Sequence, residues 1–233
     1  MFSCIASAAP APIANIGIRA YDGKMIRWFG LAAFIASASP CAAATQQPFF
    51  PPDYAGLSFS CPSDYGAESN YVQFLSKFEQ DWFSQHLRAA REAPLYGVAQ
   101  SNGTRRVLRF TWLRSFHPTV TVRLSERKDG GWHLVAKQLS GTGGYDPGTI
   151  DKVVDRPIRA AEAAELEALM TRTALPDLSG DCVIGVDGAQ WLIERSDAEG
   201  YHFINRWSPS DGPVRQVGLF LLKLTGWRLK PDY

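Results

Sequence analysis

The clearest periodicity in the chain runs through residues 118–126 (PTVTVRLSE), where Val120, Val122 and Leu124 alternate with Thr121, Arg123 and Ser125. Period two marks a strand with one face buried. Residues 105–114 (RRVLRFTWLR) read as the strand before it, and Asp129-Gly130-Gly131 is a hairpin signal leading into a third strand over 132–139. Residues 150–158 add a further strand. A second hairpin is expected from 189–195 and 201–207, turning over 197–200.

Helical spacing appears in three places. Tyr71, Phe74, Leu75, Phe78, Trp82 and Phe83 recur at three and four residues, which predicts a helix over 71–91. Ser69 or Asn70 would cap it, Pro94 would end it, and the aromatic stripe reads as core. Residues 160–170 (AAEAAELEALM) form a helix on propensity. Asp211 caps a last helix with Pro213 in its first turn, and Gly226 stops it. Val214, Val217, Leu219, Phe220, Leu221, Leu222 and Leu224 make that helix apolar nearly all round, so it should be sandwiched. This order predicts an α+β fold: a mainly antiparallel sheet built from hairpins, packed by three helices. Residues 61–233 read as one domain. Residues 45–60 begin TQQPFFPP, with three prolines and no periodicity, and read as an N-terminal tether.

The first residues have a different character. Met25-Ile26-Arg27, the apolar run 28–36 (WFGLAAFIA) and Ala42-Ala43-Ala44 have the three-part pattern of a cleaved signal peptide over 25–44. The run is shorter than the roughly 20 residues a bilayer-spanning helix takes. Residues 1–24, of mixed polarity, read as a misassigned start upstream of Met25. Pro40 before Cys41 disfavours lipid attachment, so the expected product is soluble and periplasmic or secreted, with no integral membrane segment after cleavage. An oxidising compartment then favours pairing of the two remaining cysteines, Cys61 and Cys182. Of 24 basic and 23 acidic residues, Arg19, Lys24, Arg27 and Asp22 leave with the leader, and the remainder stays within one charge of neutral. That balance excludes the basic surplus that nucleic acid requires.

Standard catalytic and metal motifs are missing: there is no G-x-S-x-G, no H-E-x-x-H, no Walker lysine and no EF-hand loop. No cofactor and no metal are expected. The loop 140–148 (SGTGGYDPG) could offer N–H groups to an anion, but it lacks the lysine and helix of a phosphate loop and reads as a turn. His86 reads as solvent-facing. His133 and His202 occupy equivalent places in a weak internal echo, GWHLV against GYHFI, and could share one face. The most chemically loaded stretch is 205–212 (NRWSPSDG), which leaves a strand and enters a helix N-terminus. Its Arg206, Trp207 and Asp211, faced by Tyr145 and Asp146, are the candidate ligand-binding residues. The duller alternative has Arg206 pairing with Asp146 or Asp211 while Trp207 fills core.

Residues 109–118 (RFTWLRSFHP), the SGTGGYDPG loop, GAQWLIE at 188–194 and Tyr201-His202 with Arg206-Trp207-Ser208-Pro209 together resemble an uncharacterised group of exported bacterial proteins. The resemblance covers most of 105–226 and implies one family domain and export. It implies no activity. Two functions follow as expectations. One is a non-catalytic module binding a protein or small polar ligand. The other is a small hydrolase or transferase using His117, His133 or His202 as base with Asp146 or Asp211.

Overall fold

Strand β3 (Val107–Arg114) is buried at every position, so it must lie inside a sheet covered on both faces. It pairs antiparallel with β4 (Val120–Glu126) on one side and β7 (Ala189–Asp197) on the other. Strands β5 (Trp132–Leu139), β6 (Ile150–Pro157) and β8 (Gly200–Trp207) complete a six-stranded antiparallel sheet of order β6-β5-β4-β3-β7-β8. A separate two-stranded ladder joins β1 (Ser58–Cys61) to β2 (Asn70–Gln73). The computed structural model describes residues 47–62, 70–97, 105–173, 175, 180–183 and 185–229. The expected signal peptide, the segment upstream of it and Ser69 lie outside the described residues. No helix among the described residues is long and apolar enough to cross a membrane.

The alternation of β3 sends its side chains to two cores. Leu108, Phe110 and Trp112 pack with Trp191 and Ile193 under helices α2 (Ala160–Thr173) and α3 (Gly212–Leu224). Leu113, Leu192 and Phe203 pack on the other face under α1 (Lys77–Ala89). Helix α3 approaches so closely that a Cβ on Gly218 would fall 2.5 Å from Trp191 Cζ3. It is buried on most of its surface, though Leu219 stays 38% exposed, and Asp211 sits at its N-cap without a side-chain cap bond. Arg156 ties the two helices together, donating to Glu162 at the start of α2 and to the Leu224 carbonyl at 2.9 Å. Hydrogen bonds from Arg156 and Arg159 hold the Glu162 carboxyl down at about 2.

Two expectations are corrected. The stretch read as a tether is core: Phe49 and Phe50 are buried, and Phe50 meets Phe83 and Phe203 edge-on at 6.3 and 5.2 Å. The prolines stiffen this segment but do not remove its apolar area, and burying each phenylalanine is worth about 1.5–3 kcal/mol. The first helix also starts later than its aromatic spacing suggests. Residues 70–73 pair with β1, and the helix begins after Ser76. Ser76 Oγ accepts from the Glu79 N–H at 3.2 Å while Glu79 accepts from the Ser76 N–H at 2.8 Å, a reciprocal capping box.

Helix α1 ends in a Schellman turn. The Arg91 N–H donates to the Arg88 carbonyl and the Glu92 N–H to the Leu87 carbonyl, with Arg91 left-handed at φ 52°. The turn drives Glu92 down onto the sheet, where it accepts from Arg123 at 2.9 Å and Lys137 at 2.6 Å. Lys137 also donates to the Ala90 carbonyl at 2.7 Å. Beside them Arg109, fully buried, grips Glu194 through two bonds of 2.7 and 2.6 Å and donates to the Ala93 carbonyl at 2.7 Å.

A disulfide joins Cys61 at the end of β1 to Cys182, 121 residues later. Closing a loop of that size stabilises the fold by ~4–5 kcal/mol in the chain-entropy model.

Arg91 has an exposed side chain, and its left-handed backbone suits glycine. Arg91→Gly is expected to raise stability by about 0.5–1 kcal/mol, read as a higher urea midpoint at unchanged slope.

Candidate functional site

The glycine-rich loop forms one rigid boundary of the site. Every backbone N–H from Ser140 to Tyr145 donates within the protein, Gly143 to Arg114 and His117 carbonyls and Gly144 to Ser115. None of these N–H groups is left to cradle an anion, in line with the turn reading. The loop instead offers an acceptor: the Gly143 carbonyl takes the Trp82 indole N–H at 2.7 Å. A Cβ on Gly143 would sit 2.5 Å from the Arg114 carbonyl oxygen, so the loop lies flat on the β3–β4 turn. Helix α1 and this turn are thereby locked to each other.

Between α1, the loop and the disulfide-tied residues 180–183 and 185–187 runs a groove with two adjoining compartments of about 510 and 660 Å³. Phe78, Trp82, Gln190 and Trp207 line both compartments. Tyr71 and Phe74 line the first compartment, while Phe116 and Tyr145, with ring centroids 6.4 Å apart, line the second. Asp181 accepts the Trp207 N–H at 2.7 Å and fixes the far wall to β8. Gln190 from β7 and Asn205 from β8 project from the sheet onto the floor. Their side-chain oxygens are buried and meet no hydrogen-bond donor among the described residues. Glu79, Asp81, Asp181 and Asp187 also line the groove, and among the described lining residues there is no lysine, arginine or histidine.

Tyr145 and Trp207 therefore share one groove. Arg206 and Asp211 share a neighbouring cleft of about 420 Å³ on the other side of Trp207. Arg206 donates to the Asn205 carbonyl at 2.7 Å; burial lowers its pKa, opposed by the nearby Asp181 carboxylate. Asp146 turns its own loop, accepting from the Gly148 N–H at 2.8 Å. Phe78 and Trp82 belong to the groove although their spacing reads as core, and Phe78 is 73% exposed. The signal that could have placed them is Ser76-Lys77-Phe78-Glu79, whose capping pattern sets the helix phase.

The histidines are dispersed. His86 is buried rather than solvent-facing, with Nδ1 at 2.9 Å from Thr119 Oγ1 and Nε2 lacking a partner among the described residues. Desolvation pulls its pKa down to about 4 against the opposing charge of Asp146. His133 and His202 do not share a face. Leu134 and Ile204 both enter the core under α2 and α3, which turns His133 away from that core and puts His202 on its side. His133 Nε2 lies 2.6 Å from Asp155 on the exposed sheet, and His202 Nε2 lies 3.7 Å from Asp197. Asp197, Glu199 and His202 cluster within 4.8 Å, but both carboxylates already hold Arg195. His117 sits in the β3–β4 turn.

The chain matches no family model, no curated protein and no solved structure. The resemblance to exported bacterial proteins gains no support from these comparisons.

Two predictions follow from the loop and the buried imidazole. Gly143→Ala should destabilise the protein by roughly 1–3 kcal/mol and shift tryptophan emission as Trp82 loses its carbonyl. His86 stays neutral in the fold while the unfolded chain takes up protons below pH 6.5. Stability should therefore fall as pH drops from 6.5 to about 4, by on the order of 3 kcal/mol from this group. Urea titrations across that window should show a shallower slope for His86→Asn.

Proposed function

We propose that the chain is an exported, non-catalytic binding module of the periplasm or extracellular space, and that the aromatic groove is its binding site. One observation carries the reading. Of nine large apolar side chains left exposed among the described residues, six (Tyr71, Phe78, Phe116, Tyr145, Val183 and Val186) line this groove. Exposed apolar groups scattered singly are ordinary, whereas a contiguous set rimmed by polar residues marks an interaction surface. Concave shape, aromatic walls and a few converging amide groups are what a binding pocket needs. Export rests on the leader pattern at 25–44, and the Cys61–Cys182 bridge is in keeping with an oxidising compartment.

Phe78 and Tyr145 are 73% and 66% exposed, so the double variant Phe78→Ala/Tyr145→Ala should keep the wild-type melting temperature. Ligands selected on the wild-type protein from a displayed peptide library and a glycan array should bind this variant at least about tenfold more weakly, a loss of ~1.4 kcal/mol or more. Unchanged affinities, or no wild-type binder in either panel, would overturn the proposal.

A further inference from the structure

We infer that the groove takes an extended cationic polypeptide segment, its lysine or arginine side chains lying over the aromatic faces. This rests on the reading of the groove as the binding site and adds the chemistry of the ligand. The charge distribution carries it. Glu79, Asp81, Asp181 and Asp187 line the two compartments, and no described lining residue is cationic. Lys77, outside the groove, compensates Asp81 at 2.6 Å, and Asp187 is exposed with no such partner among the described residues. An anionic ligand would meet like charge along the whole path, while an ammonium or guanidinium would be drawn in.

The walls point to the same chemistry. Phe78, Trp82 and Tyr145 present ring faces or edges along the path, and desolvated cations over such faces gain further attraction. Two compartments that share Phe78, Trp82 and Trp207 offer successive seats, which suits an extended segment better than one compact molecule. A neutral oligosaccharide would stack on the rings but bring no charge to Asp187.

The test uses the full mature chain, with binding read by calorimetry and tryptophan emission. The probes are a lysine–proline repeat peptide, the same peptide with glutamine or glutamate in place of lysine, and a β-1,4-linked glucose oligomer. The lysine peptide alone should bind, more weakly at high salt. Asp81→Asn/Asp187→Asn should weaken it by about tenfold, as should Phe78→Ala/Tyr145→Ala, and the remote pair Asp151→Asn/Glu165→Gln should leave it unchanged. If the glutamine peptide or the glucose oligomer binds as well, and loses affinity with Phe78→Ala/Tyr145→Ala, the groove remains a binding site and the cationic inference falls. If no probe depends on Phe78 and Tyr145, or the remote pair weakens the lysine peptide equally, both fall.

Discussion

Arg109 and Glu194 face each other across β3 and β7 with no solvent exposure, and a charged pair withdrawn from water must be compensated within the protein. Glu194 spends its two oxygens on the guanidinium and takes a further bond from the Tyr201 hydroxyl at 2.9 Å. Burial and the Glu194 charge keep that phenol protonated, raising it well above its ordinary range. The other side of the Arg109 fork meets the Ala93 carbonyl, just past the end of α1, with the Glu92 carboxylate 3.7 Å away. Removing one member of such a pair strands the other, at a cost of about 3–5 kcal/mol. The sheet can keep its charged centre only if α1 is seated on it.

The groove inherits its shape from that seating. Once the Schellman turn at Arg91 has brought Glu92 to Arg123 and Lys137, the direction of α1 is set, and Phe78 and Trp82 are carried to the rim. The Trp82 indole then meets the glycine loop, which is itself hydrogen-bonded to the β3–β4 turn. The opposite wall has no regular secondary structure among its described residues. It is held by the disulfide and by the Asp181 bond to the Trp207 N–H. The described part of this wall is thus fixed through one covalent bond and one carboxylate.

Much of the fold was legible because its strands obey simple rules. Val120, Val122 and Leu124 alternate, the Asp129–Gly131 turn is unambiguous, and the α+β order follows from the sequence of elements. The cysteine pairing followed from the expected leader at 25–44, whose removal would leave two thiols. What was hidden depends on contacts distant in sequence. Tyr71, Phe74 and Leu75 happen to continue the helical spacing of Phe78, yet pairing with β1 turns residues 70–73 into a strand. Phe49 and Phe50 sit among prolines, and only the sheet face they cover reveals them as core. Arg109 and Glu194 look like the polar face of half-buried strands, since nothing local says that a helix will cover them. The groove was half visible: Tyr145 and Trp207 were singled out, whereas Phe78 and Phe116 have the same composition as core aromatics, and exposure is decided by the helix phase and the turn.

The order in which the strands are made has its own consequence. β3 is flanked by β4, which follows it at once, and by β7, which is synthesised only in the last third of the chain. Until β7 emerges, the middle of the finished sheet is an open edge, and open apolar edges invite association with other chains. Arg109 stands on that edge. A charge within an apolar strand is the kind of residue that opposes edge-to-edge association, and Arg109 interrupts the run of Leu108, Phe110 and Trp112. The residue that most needs a counterion in the completed protein is thus also the one that breaks the apolar run of the strand made before that counterion.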